Sequence, residues 1–280
     1  MRPLAEPATG ALPDASRLHG CFETMRAYAG RIFRLEGHLD RLAASAKYLG
    51  APMPDRARLA RRLTRSLERA GIKEAIVRVA LMPEAGRRAS RAAVVVQPAR
   101  MPTSEQYRRG VAVAVVPTRA FQIGAVDARS KFSARLGNVM AILDAQVRGA
   151  NEALFMDARG YITESTASNF GIVWRGAVLT PPCWQGLLWG ITREVLFEAA
   201  GRLQVPMREQ PLTRHELYNA DEAFLTSTTK EVLPVSRIDG RLVGTGRPGA
   251  VSRGLHLEFR ALVAKELGVR MRRARLAGRG

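Results

Sequence analysis

Residues 163–169 read Thr163-Glu164-Ser165-Thr166-Ala167-Ser168-Asn169. A short apolar strand leads into this stretch and another leaves it, so a carboxylate with hydroxyl neighbours is held at a strand end. Such a carboxylate suits a cationic ring nitrogen; the plain alternative is an ordinary strand-end glutamate. Working outward, short strands read at 152–157, 161–164, 168–174 and 177–180, with turns at 158–160 and 175–176. Apolar spacing predicts helices over 136–148, 191–200, 214–219 and 250–267. Thr213 and Glu216 stand at capping-box spacing before the third of these.

Upstream, the runs 21–28 and 31–34 flank Ala29-Gly30, a hairpin signal. Leu39, Leu42, Ala43, Ala46 and Leu49 recur at helical spacing until Gly50 and Pro52. A second helix is predicted over 55–70, with Asp55 as N-cap, Leu59, Leu63 and Leu67 as its apolar stripe and Gly71 as its stop. Strand-like runs follow at 75–82, 92–97 and 111–117, and then an aperiodic stretch. The reading divides the chain into a small N-terminal α+β domain (1–118), a linker (119–130), a larger C-terminal domain (131–267) and a basic disordered tail (268–280). Strands and helices do not alternate as βαβ units, which disfavours a doubly wound parallel sheet.

Composition narrows the function classes. Of 280 residues, 46% are apolar and 25% charged, ample for a core and average for a globular chain. No run approaches the ~18 apolar residues of a membrane helix, and the N-terminus lacks the order of a signal peptide. The net charge is +19. Arginine supplies nearly all of it, scattered beside alanine and glycine, which reads as compositional bias rather than a nucleic-acid surface. The best case for a nucleic-acid partner is the tail Arg270, Arg272, Arg273, Arg275 and Arg279, expected to be solvated. Cys21 and Cys183 form no metal-type spacing, and His19, His38, His215 and His256 are isolated, so no metal site is expected and a reducing, cytoplasmic setting fits.

The few lysines are weighed singly. Lys47, Lys73 and Lys265 suit solvated positions. Lys230 follows the hydroxyl run Thr226-Ser227-Thr228-Thr229, and is either solvated or near a ligand. Lys131 ends the linker and precedes Phe132-Ser133-Ala134-Arg135-Leu136-Gly137-Asn138-Val139, the entry to an apolar helix. A lysine in a partly apolar junction loses proton affinity and can act as an amine nucleophile; a surface lysine at a helix entry is the plain alternative. Gly190-Ile191-Thr192-Arg193 opens another apolar helix, whose first N–H groups and threonine hydroxyl suit a phosphate. Arg41, in the first helix, can point inward to the same anion.

The ordered set Phe22-Glu23-Thr24-Met25-Arg26, His38-Leu39-Asp40-Arg41-Leu42 with Ser45, Lys131 through Asn138, Thr163 through Asn169, Gly190 through Arg193 and Thr226 through Val235 resembles the class IV aminotransferases. These are pyridoxal 5′-phosphate enzymes of fold type IV, including branched-chain and D-amino-acid aminotransferases and 4-amino-4-deoxychorismate lyase. The resemblance implies a two-domain α+β fold: a smaller N-terminal α/β domain and a larger, barrel-like cofactor-binding domain, with the cofactor between them. It implies a homodimer whose partner loop completes the substrate pocket. Lys131 then resembles the lysine that forms the imine with the cofactor and moves the proton, and Glu164 the partner of the pyridine nitrogen. Arg41, Ile191, Thr192 and Thr228 would hold the phosphate, and Thr229 the substrate carboxylate. Phe22, Thr24 and Arg26 would line the substrate side, and Asn169 would support the Glu164 loop. The expected activity is ping-pong amino transfer between an amino acid and a 2-keto acid; the alternative is the lyase, which releases pyruvate and 4-aminobenzoate with the same lysine. The chain departs from the family's pattern at His19, at Ala134-Arg135-Leu136 and in the 83–91 stretch. Arg135 either meets an acidic substrate group or faces solvent, and the same holds for Arg87 and Arg88.

Overall fold

The computed structural model describes residues 20–83, 90–117, 127–133 and 136–271. His19, Arg87, Arg88, Arg135, most of the 119–130 linker and the tail arginines beyond Arg270 lie outside the described residues.

The first half builds a four-stranded antiparallel sheet under two helices. Its elements are β1 (Cys21–Tyr28), β2 (Arg31–Ile32), α1 (Leu35–Tyr48), α2 (Arg56–Ala70), β3 (Ala75–Met82) and β4 (Arg91–Pro98), in the order β2-β1-β3-β4. Leu59, Leu63 and Leu67 of α2 and Leu39, Leu42 and Ala46 of α1 are buried against Met25, Ala27, Val77 and Val79 of the sheet. Asp55 caps α2 by accepting from Arg58 N, and Gly71, at φ 64, ends it. The helix α1 begins earlier than its apolar spacing suggests. Its N-cap is Arg34 in the left-handed region, with no side-chain cap, so nothing in the local sequence marks the start.

The chain then forms α3 (Ser104–Arg109), β5 (Val111–Val115), α4 (Leu136–Val147), β6 (Glu152–Met156), β7 (Ile162–Ser165), β8 (Asn169–Trp174) and β9 (Ala177–Thr180). After a 3-10 turn at Cys183–Gln185 come α5 (Ile191–Arg202), β10 (Met207–Glu209), α6 (Arg214–Tyr218), β11 (Glu222–Ser227), β12 (Glu231–Ile238), β13 (Arg241–Leu242) and α7 (Ala250–Leu267). The larger sheet runs β10-β9-β8-β11-β12-β5-β6-β7, with β13 paired to β12. Its centre, β12-β5-β6, is parallel and its flanks are mostly antiparallel. Ser165 N donates to Ser168 O at the foot of β8, so the sheet curls back on itself at the 166–168 connection.

Alternation along β5 shows how the core is layered. Val111, Val113 and Val115 join an interior with Leu154, Ile172 and Leu225. Ala114 and Val116 face the other way, under Ala141 and Ala145 of α4. On another face, α5 and α7 pack over Val173, Val178, Phe224 and Val232.

Two boundaries differ from the sequence division. The strand 111–115, assigned there to the first domain, hydrogen-bonds to β12 and β6 of the larger sheet. Strand periodicity reports which residues are buried, not which strand lies alongside, so the sheet a run joins is not legible locally. The crossing between sheets comes after β4, at α3, whose Thr103–Gln106 capping box the sequence reading missed. Residues 268–271, read as the start of the tail, instead finish α7: Gly268 takes the left-handed cap, Val269 N donates to Ala264 O, and Met271 packs on the α5–α7 core.

Candidate active site

Lys131 is held between the two halves of the chain. Its carbonyl accepts from Phe22 N of β1 (3.0 Å), Ser133 N donates to Gly20 O (2.8 Å), and its own N–H donates to Ser45 Oγ of α1 (2.9 Å). The irregular segment thus adds a short bridge to the end of β1. The Lys131 amine stands 5.0 Å from the Phe22 ring centroid. Ser45 Oγ in turn donates to Arg41 O, so one hydroxyl ties the lysine to the helix carrying Arg41.

Seven of the residues singled out in the sequence line one small cleft: Arg41, Lys131, Glu164, Asn169, Ile191, Thr192 and Thr228. They come from α1, the bridge, β7, β8, the start of α5 and the β11–β12 turn. Thr229 stands beside Ser227 of that wall, their hydroxyls 3.4 Å apart. Phe22 reaches the site through its contact with the Lys131 amine. Thr24 lies on the same strand but is not part of the cavity wall. Arg26 does not belong to this site. Its guanidinium donates to Glu231 (2.9 Å) and Glu74 (3.1 Å), and it lines a different cavity. A guanidinium with two carboxylate partners has no reason to leave them for this cleft, which corrects the substrate role expected for it.

Glu164 is oriented from two sides. Its Oε2 accepts from Asn169 Nδ2 (3.3 Å) and from Leu188 N (3.2 Å). Asn169 also donates to Leu188 O (2.8 Å). Gly190 is required beside it: a Cβ there would sit 1.9 Å from Asn169 Oδ1. The helix α5 starts at Ile191 with no side-chain cap, leaving its N-terminus to face the cavity through Ile191 and Thr192.

Arg41 is positioned by Glu23, which the sequence reading quoted but did not place in the site. Nε and Nη2 of Arg41 donate to the two Glu23 oxygens (2.6 and 2.7 Å), and Nη1 donates to Trp189 O (2.6 Å). His38 Nδ1 lies 2.8 Å from Glu23 Oε2. A guanidinium carries five N–H donors, so two remain for an anion. Burial by itself raises the Glu23 carboxyl, but Arg41 and His38 outweigh it and hold the group below the usual carboxylate range. Burial lowers His38 despite the opposing Glu23 charge, which leaves the ion pair to Glu23 and Arg41. His38 and Arg41 lie three residues apart on one helix face; that spacing opposite an acid in β1 was the available signal.

A second support was also missed. Lys230 Nζ donates to Ser168 Oγ (2.9 Å) and pairs with Glu152 (2.7 Å). Glu152 accepts from Thr166 Oγ1, and Asn138 Nδ2 donates to Thr166 O (2.7 Å). These bonds clamp the 166–168 connection to the hydroxyl turn across the cavity.

The donor set fits pyridoxal phosphate. It offers an amine for the aldehyde, a carboxylate for a protonated ring nitrogen, and a guanidinium, helix N-terminus and hydroxyls for a phosphate dianion. Ser165 Oγ and Thr226 Oγ1, both in the cavity wall, are buried without hydrogen-bond partners, as expected of groups that await a polar occupant. Among the described residues, no group of three or more His, Cys, Asp or Glu is placed to hold a metal, and no helix is long and apolar enough to cross a membrane.

Residues 20–238 match the family Amino-transferase class IV. The chain belongs to the class IV aminotransferase family. It is 32% identical over 259 residues to the branched-chain-amino-acid aminotransferase of Pseudomonas aeruginosa, covering 88% of this chain and 84% of that one. A solved branched-chain aminotransferase from Thermoproteus uzoniensis, with norvaline, superposes with a TM-score of 0.81 at 32% identity, over 90% of this chain and 87% of that one. The T.th. branched-chain amino acid aminotransferase with pyridoxamine 5′-phosphate gives a TM-score of 0.83 at 27% identity, over 88% and 86% of the two chains. The aminotransferase therefore has the fold type IV architecture, with two sheets of unequal size and the cavity between them. These relatives are transaminases, and no residue of the cavity favours the lyase reading left open by the sequence.

Proposed function

We propose that this aminotransferase exchanges the amino group of an apolar, branched-chain amino acid with a 2-keto acid, using pyridoxal 5′-phosphate held in the cavity around Lys131. One observation carries the reading: a lysine amine, an anchored carboxylate and an arginine beside a helix N-terminus share one cavity wall. When bound, the cofactor supplies a sink for the electrons left at the substrate α-carbon as its proton departs. Lys131 is assigned to joining the cofactor and carrying that proton, for which its amine must be neutral. Glu164, held by Asn169 and Leu188 N, would pair with the ring nitrogen and favour its protonated form. Arg41, the N–H groups and hydroxyl of Ile191 and Thr192, and the Thr228 hydroxyl keep the phosphate in place while the substrate bond is exchanged. Thr229 takes the substrate carboxylate, and Phe22, against the Lys131 amine, flanks the side chain, with Thr24 behind it on the same strand. The apolar Phe22 and Leu188, together with the substrates named for the relatives, support the branched-chain assignment.

We also assign a homodimer. The outer face of α4 exposes Leu136, Val139, Met140, Leu143 and Val147, a stripe at helical spacing that water disfavours. The two free cysteines, both buried, support a reducing, cytoplasmic setting. Sheet membership supports placing the division between a small and a large domain near α3.

The test is optical and kinetic. The purified protein with cofactor should absorb in the visible, lose that band on adding leucine, isoleucine or valine, and regain it with a 2-keto acid in ping-pong fashion. Lys131→Ala should abolish the band. A wild-type protein that stays colourless with excess cofactor, or a Lys131→Ala variant that keeps the band, overturns the assignment.

A further inference from the structure

We propose that a second cavity, bounded by β1, the entry to β3 and α7, binds a small organic anion carrying at least two negative charges. This cavity of about 400 Å³ shares no wall residue with the one around Lys131. Arg26 lies four residues along β1 from Phe22, on the order of 13 Å at strand rise.

The floor is a buried ion cluster. Glu231 is 1% exposed and sits at φ 51, a left-handed conformation costly for a side-chain-bearing residue. Its carboxylate accepts from Arg26 Nη1 (2.9 Å), Tyr28 OH (3.2 Å) and Arg260 Nη1 (2.9 and 3.0 Å), and lies 2.7 Å from His256 Nε2. One carboxylate therefore serves two guanidinium groups. The second acid, Glu74, sits at the rim with its side chain 54% exposed, where an ion pair is worth little. Arg26 itself is only 7% exposed, and its Nε has no acceptor. A buried N–H donor of a charged group without an acceptor, in the wall of a cavity, is available to an anionic ligand.

The rim carries further positive charge. Lys73 and Arg270 are both exposed, and neither makes an ion pair among the described residues. Among the described residues the wall carries four permanent cations, Arg26, Lys73, Arg260 and Arg270, against the two carboxylates Glu74 and Glu231, a surplus of two positive charges. A concave surface of one sign concentrates counter-charge, and a dianion would balance the surplus. Ala29, Ala99, Met101 and Met271 supply apolar wall between the charges, which suits a carbon skeleton more than a bare inorganic ion. The occupant is a di- or tricarboxylate or a phosphate monoester. It would touch residues of both sheets and tie them together.

The experiment uses the cofactor-saturated enzyme, so that the phosphate cradle around Arg41 is already filled. Citrate, glycerol 3-phosphate, inorganic phosphate and neutral glycerol are each titrated by calorimetry at constant ionic strength. The same titrations are run on Lys73→Glu, Arg270→Glu and the charge control Arg61→Glu, an exposed site on α2. One of the two organic anions should saturate at one site per chain and raise the unfolding temperature, whereas glycerol should not. Each rim variant should weaken binding about tenfold or more, while Arg61→Glu should leave it unchanged and all variants should keep the visible cofactor band. Which organic anion binds better distinguishes carboxylate from phosphate chemistry. No saturable binding up to about 10 mM, tighter binding of inorganic phosphate than of either organic anion, or equal weakening in Arg61→Glu overturns the proposal. The cofactor band reports separately on the Lys131 site, so failure here leaves the transaminase reading standing.

Discussion

Replacing Glu23 by alanine tests the support of the phosphate end of the site. Glu23 is fully buried and accepts from Arg41 twice, at 2.6 and 2.7 Å, with His38 at 2.8 Å. Removing the carboxylate leaves the Arg41 charge, itself only 10% exposed, without its counter-ion. Breaking a buried pair from one side costs about 3–5 kcal/mol, a large part of the ~5–15 kcal/mol that holds a domain together. At about 2–4 °C per kcal/mol for a chain of this size, the unfolding temperature should fall by roughly 6–20 °C. Cofactor affinity should fall with it, because Arg41 loses its orientation. Scanning calorimetry and equilibrium dialysis measure the two effects. The double variant Glu23→Ala/Arg41→Met should recover much of the stability, since no charge is then stranded, but none of the cofactor affinity. The pH dependence has a definite sign. The folded-state carboxyl lies below its ordinary value of 4.5, so the pairing contributes fully above about pH 4.5 and is lost as pH falls toward the folded value. The gap between wild type and Glu23→Gln should therefore close on acidification below about pH 4.5. A Glu23→Ala protein within about 1 kcal/mol of wild type, or a double variant no more stable than the single one, would refute this reasoning.

Three further outcomes follow from the site. Lys230→Met strands Glu152, which is 8% exposed, and should cost about 1–3 kcal/mol and weaken cofactor binding in dialysis, with Lys230→Arg restoring most of both; a Met variant that binds cofactor as wild type does removes Lys230 from the support. Gly190→Ala puts a methyl 1.9 Å from Asn169 Oδ1, so Asn169 must release Glu164, and the position of the visible band should shift with pH differently from wild type; identical spectra across the pH range would contradict the role given to Asn169. Burial pushes the Cys21 and Cys183 thiols up to about 11, leaving about 0.1% thiolate at pH 8, so a thiol reagent should modify both only after unfolding; fast labelling of the native protein would show the burial to be wrong.

The residues that line the cavity were legible because each sits in a short local pattern: the lysine at a helix entry, the glutamate at a strand end, Gly190-Ile191-Thr192 at a helix start. Local signals also marked the helix α2, through Asp55 and Gly71, and the box at Thr213 and Glu216. What escaped was the set of charges that hold those residues. Glu23 meets Arg41 from 18 residues away, and Lys230 meets Glu152 and Ser168 across 62 or more. Arg26 is the mirror case: its motif placed it on the substrate side, and Glu231, 205 residues distant, holds it elsewhere.

The amino-acid order alone determined the kinds of chemistry present, the succession of helices and strands, and the family pattern that predicted a two-domain vitamin B6 enzyme. Tertiary structure decided which sheet β5 joined, which acid each arginine faced, and that the surplus of positive charge gathers in a cavity away from Lys131. The physical reason is range. Caps, turns and periodicity act within a few residues and leave their marks in the sequence. Ion pairs and strand neighbours form between segments far apart in the chain, and any of several carboxylates satisfies an arginine until packing brings one of them within bonding distance.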